Sequence, residues 1–298
     1  MTITLGVMGC GLIGGSLALA LRHAGVVGHV VGYSPNPASV EQALARGVID
    51  EAAGTAQDAA RGVDVLVIAV PVAATRSCLE QAVDVVQPHT LVMDVGSTKM
   101  QVVQAAREAL GDKIHQFVPA HPIAGKEHSG VAHAQADLFV GRRVVMTPLD
   151  GQDPQWGQRA SALWEATGAR VCTLSAQEHD EALAAVSHLP HLLAYAYMQA
   201  VGGHARAQQH LSLAGSGFRD FTRIAAADAA VWRDIFLSNP AAVSEQLRAF
   251  RLALSNLEQL INSGQADALS TQLQAAAQLR RQWGQIAESP ETSEEPGS

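Results

Sequence analysis

At 298 residues the chain exceeds one small module and suits two domains. Hydrophobic residues at 48% and charged residues at 16% allow a large buried core and exclude a disordered chain. The net charge is −8, half of it from Glu288, Glu291, Glu294 and Glu295 near the C terminus. The rest offers no general attraction to nucleic acid or an anionic membrane.

The three cysteines, Cys10, Cys78 and Cys172, are widely spaced and form no CxxC. That pattern argues against a disulfide framework and against a zinc site. No leader precedes the first apolar run, and no run approaches the roughly 20 residues that span a bilayer. The expectation is a protein of a reducing cytoplasm with no membrane partner.

In chain order, β-rich runs alternate with helical stretches as far as residue 175. The strands are expected at Ile3–Met8 and at residues 29–33, 63–70, 90–95, 114–118, 143–147 and 170–174. The run Val65-Leu66-Val67-Ile68-Ala69-Val70 is apolar throughout, as in a strand covered on both faces. Helical segments stop at Gly25, Gly47 and Gly111, where a left-handed C-terminal position favours glycine. Such alternation predicts an α/β fold with a doubly wound, mainly parallel Rossmann-like sheet over residues 1–175. An all-α domain is expected over 176–287, interrupted near Pro190, at Gly202-Gly203, at 215–217 and at Pro240. Within it Val243, Leu247, Phe250, Leu254, Leu257 and Ile261 follow a heptad seam. Leu269, Leu273, Ala276, Trp283 and Ile286 continue a similar stripe. The seam fits an intramolecular bundle and a homodimer interface equally well. Residues 288–298 are expected to be a disordered acidic tail.

Gly9-Cys10-Gly11-Leu12-Ile13-Gly14 matches GxGxxG, after an expected strand and at the start of an expected helix. In that setting the first glycine permits a tight turn, the second admits a pyrophosphate and the third allows close helix packing. Backbone amides and the helix dipole favour the phosphates. About 20 residues on, an NAD-preferring fold places an acid on the ribose. Here the segment reads Gly32-Tyr33-Ser34-Pro35-Asn36, with Ser34 where the acid is expected. A hydroxyl does not repel a 2′-phosphate, which favours NADP; no Arg follows at once to clamp it, so NAD stays open.

Three clusters point to chemistry. Asp94-Val95-Gly96-Ser97-Thr98-Lys99 follows a strand, at the end of an α/β sheet that faces the binding crevice. Ser97 there could be a functional hydroxyl or the N-cap of the next helix. His121-Pro122-Ile123-Ala124-Gly125-Lys126-Glu127 follows the fifth expected strand. The third cluster joins Ser187-His188-Leu189-Pro190-His191 to the segment from Gly215 to Arg223. Two histidines three apart could share a helix face, but no carboxylate or Cys joins them at ligand spacing, and no metal is expected.

Together these motifs, with VWRDIF at residues 231–236, resemble the prephenate dehydrogenase family, which includes arogenate and cyclohexadienyl dehydrogenases. The resemblance covers nearly the whole chain. It implies a nucleotide-binding domain, a helical dimerisation domain, and NAD(P)-dependent oxidative decarboxylation of prephenate or arogenate in tyrosine biosynthesis. It assigns His121 as acceptor of the substrate hydroxyl proton, with Ser97 orienting the hydroxyl or His121. Arg223 becomes the cation for the ring carboxylate, held by Asp220 and Glu127. His191 lines the substrate site, supported by Ser187 and His188. Trp232 lies near the site or in the core, and His179-Asp180 serve the domain junction.

Two other readings differ in class. A β-hydroxyacid dehydrogenase uses a catalytic Lys in its helical domain, and this chain has no Lys after Lys126. A nucleotide-sensing regulator could keep the fold without catalysis, but His121, Ser97 and Arg223 are all present. With the glycine loop at residue 9, no chorismate mutase domain is expected in front. With the chain ending soon after the last helix, no regulatory domain is expected behind. Any inhibition by tyrosine is then expected at or near the active site.

Overall fold

The computed structural model describes residues 2–125 and 128–288, without the side chains of 285–288. Lys126, Glu127, the Ile286 side chain and the expected tail from 289 onward lie outside the described residues. The chain forms two compact units, residues 1–243 and 244–298.

The first unit is built on a parallel sheet of β1 (Ile3–Met8), β2 (Val27–Tyr33), β3 (Glu51–Ala52), β4 (Val65–Ile68), β5 (Leu91–Asp94) and β6 (Phe117–Val118). Its order is β3-β2-β1-β4-β5-β6, and every pairing is parallel. The apolar run in β4 splits by the two-residue strand period. Val65 and Val67 enter one core with Leu5, Leu17 and Trp164, while Leu66 and Ile68 enter another with Leu79, Val102 and Phe117. Burial on both faces is therefore what the unbroken apolar sequence encodes.

The chain leaves this sheet at Pro119. Proline has no N–H to extend a ladder, and β7 (Ala120–Pro122) starts a second sheet with β8 (Arg143–Met146) and β9 (Arg170–Thr173). Strand β7 runs antiparallel to β8, and β8 runs parallel to β9. The sequence pattern did not separate β7 from β6. It placed His121 past a strand end, whereas His121 is the middle residue of β7, opposite Val145. The strand expected at 114–118 is also shorter, because Gly111–Gln116 forms a 3₁₀ turn tied down by Lys113 Nζ to the Val83 and Val86 carbonyls.

The helix Leu12–His23 ends in a Schellman pattern. Val26 N–H reaches the Leu21 carbonyl and Gly25, at φ +71°, reaches that of Arg22, both at 3.0 Å. Ser175 caps Ala176–Leu183 through a capping box with Glu178. Pro190 does not interrupt the helical run in which it sits. A π-helical turn, Ala184–His188, joins Ala176–Leu183 to Leu189–Gly202 without a break. A wider turn eases the clash of a proline ring with the preceding carbonyls, so the helix passes through it.

In the second unit a helical turn region at Gly264 links two long helices, Pro240–Asn262 (which begins in the first unit) and Ala266–Glu288. Their apolar stripe is buried at Val243 and half-buried at Leu247, Leu257 and Leu269, but open elsewhere: Leu254 is 53% exposed and Leu273 54%. No helix among the described residues is long and apolar enough to cross a membrane.

Candidate active site

The strand order reverses between β1 and β4, the switch point at which open α/β sheets bind ligands. Gly9 takes φ +102°, and a Cβ there would lie 2.2 Å from the Ala69 carbonyl oxygen. A Cβ on Gly14 would lie 2.4 Å from the Gly9 carbonyl oxygen, so this glycine serves close packing. A Cβ on Gly11 would meet nothing within 4 Å. Gly11 is also the N-cap of Leu12–His23, with no side chain taking the helix's first amides. These amides open onto a cleft of about 420 Å³ whose walls include Gly11, Leu12, Ile13, Val70, Ser97 and Trp232. The cradle fits the pyrophosphate of a dinucleotide. Tyr33 closes the turn with its carbonyl, which accepts the Gly9 N–H at 2.8 Å. Ser34 follows β2, and its Oγ accepts the Asn36 N–H at 3.4 Å.

Behind this cleft lies a buried polar network. Lys99 is fully buried, and its Nζ donates to Asp94 Oδ2 at 2.5 Å and to the Ala120 carbonyl at 2.8 Å. Burial lowers its pKa, and Asp94 opposes that shift. Asp94 also accepts the N–H groups of Gly96 and Ala120, which ties β5 to β7. Lys99, not Ser97, holds the cap position of the helix Met100–Leu110. Its first amides are satisfied from a distant segment: Asp180 accepts Lys99 N–H at 2.7 Å and Met100 N–H at 2.9 Å. That excludes Ser97 as the N-cap and leaves its hydroxyl at the cleft wall.

His121 meets His179, Nδ1 to Nε2, at 2.8 Å, and His179 Nδ1 meets Asp180 Oδ1 at 2.8 Å. Burial, and then His179, Lys99 and His188, hold the His121 imidazole well below its ordinary pKa, so it is neutral at pH 7. Two and three residues past β7, Ala124 and Gly125 line the cleft.

An adjoining hollow of about 500 Å³ is walled by Gly125, His128, His191, Arg223, Ile224 and Trp232. Trp232 stacks on His191 with ring centroids 3.5 Å apart, so it faces the site and is only half-buried. His191 Nδ1 donates to the Ser187 carbonyl at 2.9 Å, and His188 Nδ1 is 3.4 Å from Asn239 Nδ2. These two rings are committed to separate partners. Arg223 opens a 3₁₀ turn at the hollow's edge, and Asp220 is exposed on the preceding helix, Ser216–Thr222. Among the described residues Asp220 makes no ion pair, and Glu127 is outside them. Sequence reasoning missed His128 and Asp234 in these walls, and Asn239 beneath them, since no local pattern marks them.

His188 is buried, and burial pulls its pKa down to about 4 against the attraction of Asp180. In the unfolded chain it would protonate near pH 6.5, so the unfolded state binds the extra proton between these values. Its contribution to stability is complete above about pH 6.5 and is lost as pH falls toward 4, on the order of 3 kcal/mol. Urea melts at pH 7 and pH 4.5 are expected to diverge less for His188→Gln than for the wild type. Equal divergence would contradict this role.

Comparison with known proteins agrees with this architecture. Residues 17–173 match the family model for the prephenate dehydrogenase nucleotide-binding domain, and residues 175–275 the model for its dimerization domain. A prephenate dehydrogenase of Bacillus subtilis is 32% identical over 94% of this chain and 76% of its own. A crystal structure of prephenate dehydrogenase from Aquifex aeolicus with hydroxyphenyl propionate and NAD+ superposes with a TM-score of 0.88 at 32% identity, covering 95% of this chain and 98% of that one. Synechocystis arogenate dehydrogenase superposes at 0.80 with 28% identity, over 94% of this chain and 100% of that one. With both domain models matched in order along a sheet and helical segment of the expected kind, the chain belongs to the prephenate dehydrogenase family of oxidoreductases.

Proposed function

We propose that this protein catalyses the NAD(P)-dependent oxidative decarboxylation of prephenate to 4-hydroxyphenylpyruvate, with arogenate as the alternative substrate. The observation that most supports this is His121, held 2.8 Å from His179 on the strand that leads into the cleft wall at Ala124 and Gly125, where burial favours its neutral form. The ring hydroxyl of prephenate must lose its proton as its carbon becomes carbonyl-like, and a neutral imidazole accepts it. A bound nicotinamide supplies the acceptor for the hydride. Loss of carbon dioxide then leaves its bonding pair to the ring, giving a phenolate that takes the proton back from His121 to become the phenol. Ser97 orients the hydroxyl, Arg223 grips the ring carboxylate with paired N–H groups, and His191, backed by Ser187, His188 and Trp232, borders the ring. Asp220 and Glu127 are assigned to the Arg223 network. Incubation with prephenate and either nucleotide is expected to yield 4-hydroxyphenylpyruvate and carbon dioxide by mass spectrometry. Unreacted prephenate would contradict the assignment.

For the nucleotide we favour NADP, because Ser34 stands where an acid would repel a 2′-phosphate. Gly9, Gly11, Leu12, Ile13 and Gly14 would hold the pyrophosphate, and Tyr33 and Ser34 would border the ribose. Ser34→Asp is expected to raise the Michaelis constant for NADP far more than that for NAD. A wild type that rejects NADP would refute the preference.

We also assign the partly exposed helical seam to a homodimer, with the functional boundary near residue 175. The wide spacing of the three cysteines, with no CxxC among them, supports a reducing compartment such as the cytoplasm. Charged replacements at Leu247 and Leu254 are expected to dissociate the subunits in sedimentation. A wild type that sediments as a monomer at micromolar concentration would refute the pairing.

A further inference from the structure

We propose that Asp180 and His179 are positioning residues that fix the tautomer of His121, so that its Nε2 carries the lone pair that receives the substrate's hydroxyl proton. The inference rests on the reading of His121 as proton acceptor. It goes beyond that reading by naming the atom and the residues that select it.

Asp180 is 3% exposed, and its oxygens already accept the Lys99 and Met100 amides at the start of a helix. Those backbone N–H groups can only donate, so both oxygens serve as acceptors. An ionised carboxylate only accepts, so His179 Nδ1, at 2.8 Å, must carry a hydrogen. The opposite tautomer would set a lone pair against a carboxylate oxygen in a buried site, which is costly. In a neutral His179 the other nitrogen, Nε2, is then an acceptor. It lies 2.8 Å from His121 Nδ1, which must therefore be the protonated nitrogen of that ring. His179 is fully buried, so no water competes for these bonds. Each ring nitrogen along Asp180–His179–His121 is thereby assigned, and the lone pair of the neutral His121 is placed on Nε2.

The chain also supports the proton once it has moved. When His121 Nε2 takes the hydroxyl proton, the ring becomes cationic and its Nδ1–H bond to His179 strengthens. No atom other than that proton has to move. The backbone carbonyl of Asp180 adds rigidity, because it accepts the Asn239 side-chain amide at 2.7 Å and so anchors the segment that carries His179.

The test is nitrogen NMR of the full-length protein with nucleotide bound and its histidines ¹⁵N-labelled, His121 being assigned by loss of its signals in His121→Asn. Protonated Nδ1 and unprotonated Nε2 are expected for His121. A proton on Nε2 at neutral pH would overturn the proposal. In parallel, His179→Leu removes the acceptor and is expected to lower kcat about tenfold to a hundredfold, with nucleotide affinity and the substrate Michaelis constant within about twofold. His179→Gln, whose amide oxygen can accept the Nδ1 hydrogen, is expected to recover most of the loss. Unchanged kcat in His179→Leu, or a collapse of nucleotide affinity in both variants, would assign His179 to folding alone and overturn the proposal. Should His179→Leu fail to fold, the wild-type tautomer still decides. A wild type inactive on prephenate and arogenate would remove the proposed reaction, while the spectra would report the tautomer independently.

Discussion

His121→Asn is expected to lower kcat by about two to four orders of magnitude while the nucleotide still binds. The proposed nucleotide cradle, Gly9, Gly11 and Gly14, follows β1 of the first sheet, whereas His121 sits in β7 of the second, so binding has no reason to fall. Turnover has every reason to fall, because an amide cannot take a proton at neutral pH. The Asn carbonyl can still accept a hydrogen bond from the substrate hydroxyl, which softens the loss at the lower end of the range. Near-normal kcat in a folded variant would reject His121 as the acceptor. Nucleotide affinity measured by fluorescence titration on the same preparation separates this result from misfolding.

Arg223→Ala is expected to act on the other kinetic constant. Its guanidinium edges the hollow that His191 and Trp232 line, so its proposed partner is the ring carboxylate and not the reacting hydroxyl. The Michaelis constant for prephenate should rise about tenfold to a thousandfold, equivalent to about 1.4 to 4 kcal/mol for a lost charge-assisted contact. Turnover at saturation should fall less, since the contact exists in ground and transition states alike. Arg223→Lys should recover only part of the loss, because an ammonium lacks the paired planar donors. An unchanged Michaelis constant in Arg223→Ala would refute the carboxylate role.

Local sequence carried the frame of the molecule and not the network beneath its site. The apolar run in β4 and the GxGxxG turn carry their signal within a few consecutive residues, and both were legible. The pairing of His121 with His179 spans 58 residues and is set by how the helix Ala176–Leu183 meets β7. No periodicity encodes such a meeting. Lys99 falls in a cluster that the sequence marks for chemistry, but nothing local marks it as buried. Its burial follows from Asp94 and the Ala120 carbonyl converging on it from two sheets. Pro190 read as a helix breaker because the rule assumes an α-helical turn, and the π turn before it removes the assumption. The heptad seam was legible as a seam; its exposure at Leu254 and Leu273 is what supports the proposed homodimer over a bundle within the chain.

The most direct measurement is absorbance at 340 nm after mixing the wild-type protein with prephenate and NADP or NAD. The expected result is a rise that requires prephenate, saturates with it, and is reduced about two to four orders of magnitude in His121→Asn. Binding of the nucleotide without any rise, on prephenate and on arogenate alike, would contradict the proposed reaction and leave a protein that senses the nucleotide without reducing it.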